Sequence, residues 1–314
     1  MNDIAGRWVW PRSVHGQLVE AIQSHAPQLI AFDILFSETD NYRPDDDIYF
    51  NEVIKNANNV FFAMLQQRLV SGGNLIASLP NSIPIGKTPS AQKNARISLL
   101  LPSVIDSDDW HVGLINYTAE FDGIIRFYDV YANVQGWQIN SLPSEIVQAV
   151  GGVMPDSPRI MLNWRGNKEQ PYKTFSYVDV FNAVMKGEQS YLSQFNDKII
   201  LIGTTASGLY DARATPLNPQ LAGVYTLATA IDNMKNSQYF LLGNQWLYYI
   251  CIVFALTLIS FCFLINKHFV YQISVALILV VFIAIFFFFF FFLFVFFFFF
   301  FFFFFSSFFF FFYS

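Results

Sequence analysis

Lys198–Pro216 reads KIILIGTTASGLYDARATP. Ile199 to Ile202 are four apolar, β-favouring residues that stop at Gly203 and give way to small, hydroxylated and glycine residues. A buried strand reads this way when it delivers a polar loop to the edge of a sheet. The loop carries Thr204, Thr205, Ser207, Asp211 and Arg213 before Thr215-Pro216 closes it. A helical pattern follows at Val224, Leu227, Ala228 and Ile231, and beyond it the sequence turns lipid-like. The stretch therefore lies where a globular part is pointed at a membrane part.

Working outward, the same alternation of short apolar runs and helical patterns recurs. Ser13 is placed to cap a helix with Val14, Leu18, Ile22 and Ala26 on one face, ended by Pro27. Leu29 to Phe32 is a short buried strand with Asp33 at its exit. Asp45, Asp46 and Asp47 suit the positive end of a helix, whose apolar face is Phe50, Val53, Ile54 and Ala57. Val60 to Leu65 is the next strand, and Gly72 to Leu101 is a long Gly-, Pro- and Ser-rich excursion with room for short edge strands. Val112–Asn116 and Ile124–Tyr131 read as an antiparallel pair across the Asp122-Gly123 turn. A helix capped by Ser141 stops at Gly151-Gly152, and RIMLNW is a strand leading to Arg165-Gly166. A further helix opens at Ser176 with Asp179 in a capping-box position and closes at Gly187. The pattern predicts an α/β fold: a mostly parallel central sheet flanked by helices, with an inserted hairpin, followed by transmembrane helices.

Composition divides the chain. Residues 1–240 are ordinary globular sequence, whereas from Gln245 onward the only basic residue and histidine are Lys267 and His268, with no acid. A net charge of −5 argues against a nucleic-acid partner, which requires a basic face. Cys251 and Cys262 are about three helical turns apart in one apolar run, too far to bridge each other. The four histidines show no metal-ligand spacing, so no metal and no cofactor are expected.

Trp246–Ile265 has no charged residue and is long enough to span a bilayer, with Trp246, Tyr248 and Tyr249 as interfacial aromatics. A second span is expected over 269–290, after the polar connection Asn266-Lys267-His268. Residues 286–312 are almost pure phenylalanine, broken by Leu293, Val295, Ser306 and Ser307. Every one of these has a codon one base from TTT, so the tail is expected to be a translated, miscalled thymine homopolymer. An intact poly-Phe frame on resequencing would sink that expectation.

Four separated pieces resemble one family, the type-two CHASE domain, an extracytoplasmic sensor of bacterial signalling proteins. WVWPRSVHGQLVEAI resembles the family's opening, and IAFDILFSETD is similar to its strand and loop. Phe121-Asp122-Gly123 through Arg126 resembles its D-x-DG-x-x-R region, and Lys198–Pro216 with GVYTLATAIDNM its closing segment. The resemblance implies an N-terminal anchor, an outward-facing α/β sensor, usually three transmembrane helices, and a cytoplasmic effector. Effectors in that family include nucleotide cyclases such as adenylate cyclases, histidine kinases, serine/threonine kinases and diguanylate cyclases. No anchor or first strand precedes Trp8 and no effector follows, so the expectation is a truncated chain. It also implies a homodimer through the parent receptor and a multi-pass inner-membrane location with a periplasmic or extracellular domain. Lys267-His268, the one basic loop beside a span, agrees by the positive-inside rule.

The candidate ligand-binding residues are Asp33, Gly203, Thr204, Thr205, Asp211 and Thr215, at the carboxyl ends of strands where open α/β sheets bind ligands. Plainer readings are Gly203–Gly208 as a tight turn and Asp33 as a loop cap, while Asp211 and Arg213 read equally as a solvated pair or as a grip on an ionic ligand. Asp122-Gly123 reads as turn chemistry, Arg126 as an exposed strand residue, and the three aspartates as a solvated helix start. The Gly203 loop lacks the Lys-Ser/Thr of a Walker sequence, and no nucleophile has a base in motif context, so no catalytic residue is expected. The expected function is the sensory input module of a membrane receptor, its signal an unidentified small molecule or protein, its other partner the lipid bilayer. The alternatives are a membrane-tethered cytosolic phosphate-binding enzyme using Gly203–Gly208, and a scaffold.

Overall fold

The structure, a computed structural model, describes residues 10–68, 72–165, 172–205, 212–240 and 245–265. The second expected span and the poly-Phe tail lie outside them. The chain divides into two units, Met1–Leu242 and Gly243–Ser314.

In the first unit, helix α1 (Arg12–Gln23) leads to strand β1 (Leu29–Asp33), then helix α2 (Pro44–Lys55) and strand β2 (Val60–Gln67). Short strands β3 (Asn74–Leu75), β4 (Ile85–Lys87), β5 (Arg96–Leu100) and β6 (Val112–Leu114) follow. Next come β7 (Phe127–Asp129), β8 (Tyr131–Val134), β9 (Trp137–Asn140), helix α3 (Leu142–Ala149) and β10 (Arg159–Met161). Helices α4 (Tyr177–Lys186) and the single turn α5 (Gln189–Leu192) precede β11 (Ile199–Gly203). The two-residue strands β12 (Ala212–Arg213) and β13 (Leu221–Ala222) then lead into helix α6 (Gly223–Lys235).

The main sheet runs β11-β1-β2-β5-β3, with β6 also on β2. Pairing is parallel for β11/β1, β1/β2 and β2/β6, and antiparallel for β2/β5 and β5/β3. The sheet is therefore mixed, a coarser result than the mostly parallel one expected. Strand β2 explains why. Its first half pairs with β1 on one side and with β6 on the other, and its last residues, Leu65–Gln67, extend beyond β6 and are taken up by β5.

Both faces of the sheet are covered. Ile30, Phe32, Val60, Phe62 and Met64 pack in one cluster with Leu18 and Ile22 of α1, Phe50 and Ile54 of α2, and Val180 of α4. The residues between them, Leu29, Ala31, Phe61 and Ala63, pack on the opposite side with Ile146 of α3 and Leu227 and Ile231 of α6. Successive strand side chains point to opposite faces, so a strand buried on both sides reads as an unbroken apolar run. This is why LIAF and VFFAML are legible in the sequence.

Four local expectations are corrected. Val112–Leu114 does not pair with Phe127–Asp129: β6 joins β2 in parallel and β7 pairs with β10. All three β6 residues are buried, which suits an interior strand rather than one arm of a solvated hairpin. The hairpin is instead β8/β9, closed by Gln135 and Gly136, both at positive φ as a two-residue primed turn requires. Helix α1 begins after Pro11, not at a Ser13 cap, and ends at Gln23; neither Ser141 nor Ser176 makes a side-chain cap bond. Finally, Asp47 is buried and accepts the Asp40 backbone N–H at 2.7 Å, so only its two neighbours fit a solvated helix start.

Asp47 belongs to a knot that joins two of the sequence pieces quoted above. Its carboxylate lies 3.8 Å from Arg12, whose buried guanidinium sits over the Phe36 ring at 5.1 Å and reaches the Glu38 carbonyl at 3.4 Å. His15 is fully buried beside it, edge-on to Phe32 and Phe36 and 2.9 Å from the Tyr177 hydroxyl. Burial first, and then the Arg12 charge, lower its pKa from 6.5 to about 3. The unfolded chain therefore takes up this proton first, and stability falls as pH drops from 6.5 toward 3. Between pH 6.5 and 5 that contribution is about 2 kcal/mol. Urea unfolding at the two pH values should show it in the wild type and not in His15→Phe; equal slopes would contradict it.

The second unit contributes helix α7 (Gln245–Ile265), which carries no acid or base in its terminal turns. Among the described residues no helix is long and apolar enough to cross a membrane. The side chains at 245, 247, 248, 251, 258, 259 and 262–265 lie outside that set.

Candidate functional site

β1 lies between β2 and β11, so the chain leaves it first to one side and later to the other. In open α/β sheets the crevice at such a switch, beyond the carboxyl ends of the strands, is where ligands bind. Asp33 and Gly203 are paired in register at this edge. Gly203 is required here by packing: a Cβ would come within 2.7 Å of Val224 Cγ2 and 3.3 Å of Asp33 Cβ. Helix α6 thus lies directly on the end of β11. Thr204 is half-buried and Thr205 exposed. Asp211 lies outside the described residues. Thr215 is buried in a turn, where its hydroxyl donates to the Asn218 carbonyl at 2.9 Å and accepts the Asn218 N–H at 3.1 Å.

Two residues that the sequence does not point to, Tyr117 and Tyr128, lie beside the same edge with Arg213. Arg213 donates through Nε to the Tyr117 hydroxyl, and its guanidinium lies 5.5 Å from that ring. Tyr117 in turn lies 6.3 Å, centroid to centroid, from Tyr128. Tyr128 is fully buried; burial first, and then the nearby Asp33 carboxylate, push its phenol well above the ordinary value. It is therefore a proton donor across the physiological range, and its hydroxyl has no hydrogen-bond partner among the described residues. A chain of neighbours thus runs from the Asp33 acid through the buried Tyr128 phenol and Tyr117 to the Arg213 cation. Tyr117 and Tyr128 carry no motif, and only the tertiary fold brings them beside Asp33.

The Glu120–Arg126 turn holds this arrangement from below. Arg126 bonds both Asp122 oxygens at 3.0 and 2.7 Å and Glu120 at 3.1 Å, while Gly123 takes φ +78°. Its hydrogen bonds hold the Asp122 carboxyl below the usual range. Arg126 is thus a half-buried clamp rather than an exposed strand residue, and Asp122-Gly123 is turn chemistry as expected. Ile125 N–H then donates to the Ala214 carbonyl at 2.8 Å, tying the turn to the segment after β11.

Helix α6 is gripped from the other side. Arg165 forms two bonds to Asp232 at 2.6 and 2.7 Å, and Asn233 pairs with the Asn163 backbone at 2.6 and 3.2 Å. Among the described residues no cluster of His, Cys, Asp or Glu is arranged to hold a metal.

The fold is thus a covered α/β sheet whose carboxyl edge abuts a C-terminal helix. The profile of the CHASE2 domain family matches residues 1–261, and the chain belongs to that family. CHASE2 domains are extracytoplasmic sensory domains of signal-transduction receptors, not catalytic ones. No curated protein and no solved structure matches the chain. The four pieces that carried the resemblance have distinct physical roles. The first two meet where Arg12 packs on Phe36 and reaches Glu38, and the second supplies most of β1; the third is the Arg126 clamp, and the fourth is β11 with α6.

Proposed function

We propose that this chain is the membrane-anchored sensory input module of a signalling receptor. Its domain faces the periplasm or the cell exterior, and its signal passes through α6 to membrane spans and a cytoplasmic cyclase or kinase. The observation that carries this reading is the position of α6. One end packs on the candidate edge through Gly203 and Val224, the other is held through Asp232 and Asn233, and the chain continues from it into α7.

Anchoring is supported by the sequence alone: Gln245–Ile265 is 21 residues without a charge, a length that matches a hydrocarbon core of roughly 30 Å. A return through 269–290, with Lys267-His268 in the cytoplasm and partners paired as a homodimer, completes the proposal. For signalling, a ligand must bind one of two arrangements of the edge and α6 more tightly than the other. The phosphate-binding alternative draws no support from Gly203, whose missing side chain makes room for Val224. Labelling of a cysteine at position 94 by an impermeant reagent in intact cells tests the orientation.

A further inference from the structure

Sharing Tyr117 with the Asp33–Gly203 edge, a cleft of about 200 Å³ opens at the carboxyl ends of β2 and β6. Its walls include Gln66, Leu114, Asn116, Tyr117, Asp129 and Ser141. Two of these are already committed to the fold. Asn116 exchanges two bonds with the Gln66 backbone at 2.7 and 2.9 Å, and the buried Ser141 hydroxyl bonds Ser144 at 2.8 Å. The walls are therefore fixed, and the cleft is preformed.

Among the described residues on the lining, Asp129 is the single charged side chain. Its neutralisation within the fold is partial. Arg159 Nε stands 3.4 Å from one carboxylate oxygen, but its guanidinium is shared with the Phe127 ring at 4.4 Å and the Thr118 carbonyl at 3.4 Å. No hydrogen bond to the Asp129 carboxylate is present among the described residues beyond that ion pair. Burial raises the pKa of this group, the signature of a carboxylate whose charge is under-compensated. A cation entering the cleft supplies the missing partner, whereas an anion is repelled. The volume is below that of drug-sized pockets and suits a molecule of a few heavy atoms.

We propose that this cleft binds a compact organic cation carrying a primary amine, with Asp129 as its counter-ion and the Gln66 side chain as a neutral hydrogen-bonding partner. Tyr117 forms one wall and its hydroxyl is held by Arg213, which pairs across β12/β13 with Leu221, two residues before α6 begins. Occupancy of the cleft thereby reaches α6 through Tyr117 and Arg213. Only this second step rests on the sensory function proposed above.

The test is calorimetric titration of the purified full chain in detergent with ethanolamine, with neutral ethylene glycol as its isostere and acetate as the anion. Saturable binding of ethanolamine alone is expected, weakened about tenfold or more by Asp129→Asn. Gln66→Glu, which adds a second carboxylate, should tighten it about threefold, and tests the site even if the Asp129 variant fails to fold. Equal binding of ethylene glycol or acetate, no saturable binding, or unchanged affinity in a folded Asp129 variant would overturn the site. At ethanolamine concentrations that saturate each protein, Tyr117→Phe should lose the ethanolamine-dependent change in amide exchange of α6 that the wild type shows. A retained exchange response would overturn the relay. A binding site confirmed on a domain that labels only from the cytoplasm would leave this inference standing and remove the sensory one.

Discussion

Replacing Gly113 by alanine is expected to destabilise the first unit by about 3 kcal/mol, at the top of the range for overpacking. Gly113 is the middle residue of β6, and the start of α3 crosses directly over it. A Cβ there would overlap Leu142 Cα and stand 2.5 Å from Leu142 N and 2.8 Å from the Ser141 carbonyl carbon. These are backbone atoms, so no rotamer change can relieve them. They are also fixed in place: Ser141 N–H donates to the Val130 carbonyl, and Ser144 lies buried below. Either β6 leaves β2 or α3 lifts off the sheet. For a unit of this size the melting temperature should fall by about 6–12 °C. A shift under about 2 °C would show that β6 does not run beneath α3.

Gly203→Ala is expected to cost about 2 kcal/mol, and for a reason that separates packing from ligand chemistry. The new methyl would meet Val224 Cγ2 at 2.7 Å and Cβ at 2.9 Å, and Val224 is β-branched and buried against α6's own turn. Trimming the obstacle should therefore help. Val224→Ala alone should be destabilising through lost burial, yet the double variant should be more stable than the sum of the singles by about 1 kcal/mol. Urea unfolding of the four proteins measures this cycle. Strict additivity would mean that Gly203 is needed for something other than the approach of α6.

The legibility of each segment depends on its physics. β1 and β2 are readable because strands buried on both faces show as apolar runs, and β11 shows the same run although, at the edge of the sheet, only Ile202 is buried; Asp33 and Gly203 end β1 and β11. Helix α4 is readable because Gly187, at φ +66°, closes it as a left-handed C-cap. The hairpin is misplaced in the sequence reading because Asp-Gly at 122–123 is a strong turn signal that serves a clamp. The true hairpin turn, Gln135-Gly136, lacks the usual Asn or Asp at its first position. Of the site, Asp33 and Gly203 can be found because each ends a strand. Tyr117, Tyr128 and Asp129 cannot, because they sit in short segments whose partners, Arg213 and Arg159, are distant in sequence.

Arg12 and Phe36 illustrate a further limit. A buried arginine over an aromatic ring is a tertiary fact, and in the sequence Arg12 is one charged residue beside a proline. Its role in joining α1 to the Asp40–Asp47 segment emerges only when both are folded.

Orientation decides whether the domain lies outside the cytoplasm, as the proposed sensory function requires. Asn94 is exposed, in a turn remote from the candidate edge in sequence, and suits a reporter cysteine. With Cys251 and Cys262 replaced by serine, Asn94→Cys expressed from the native locus should react with a membrane-impermeant maleimide in intact cells as fully as after lysis. Reaction only after lysis would place the domain in the cytoplasm and refute the sensory reading.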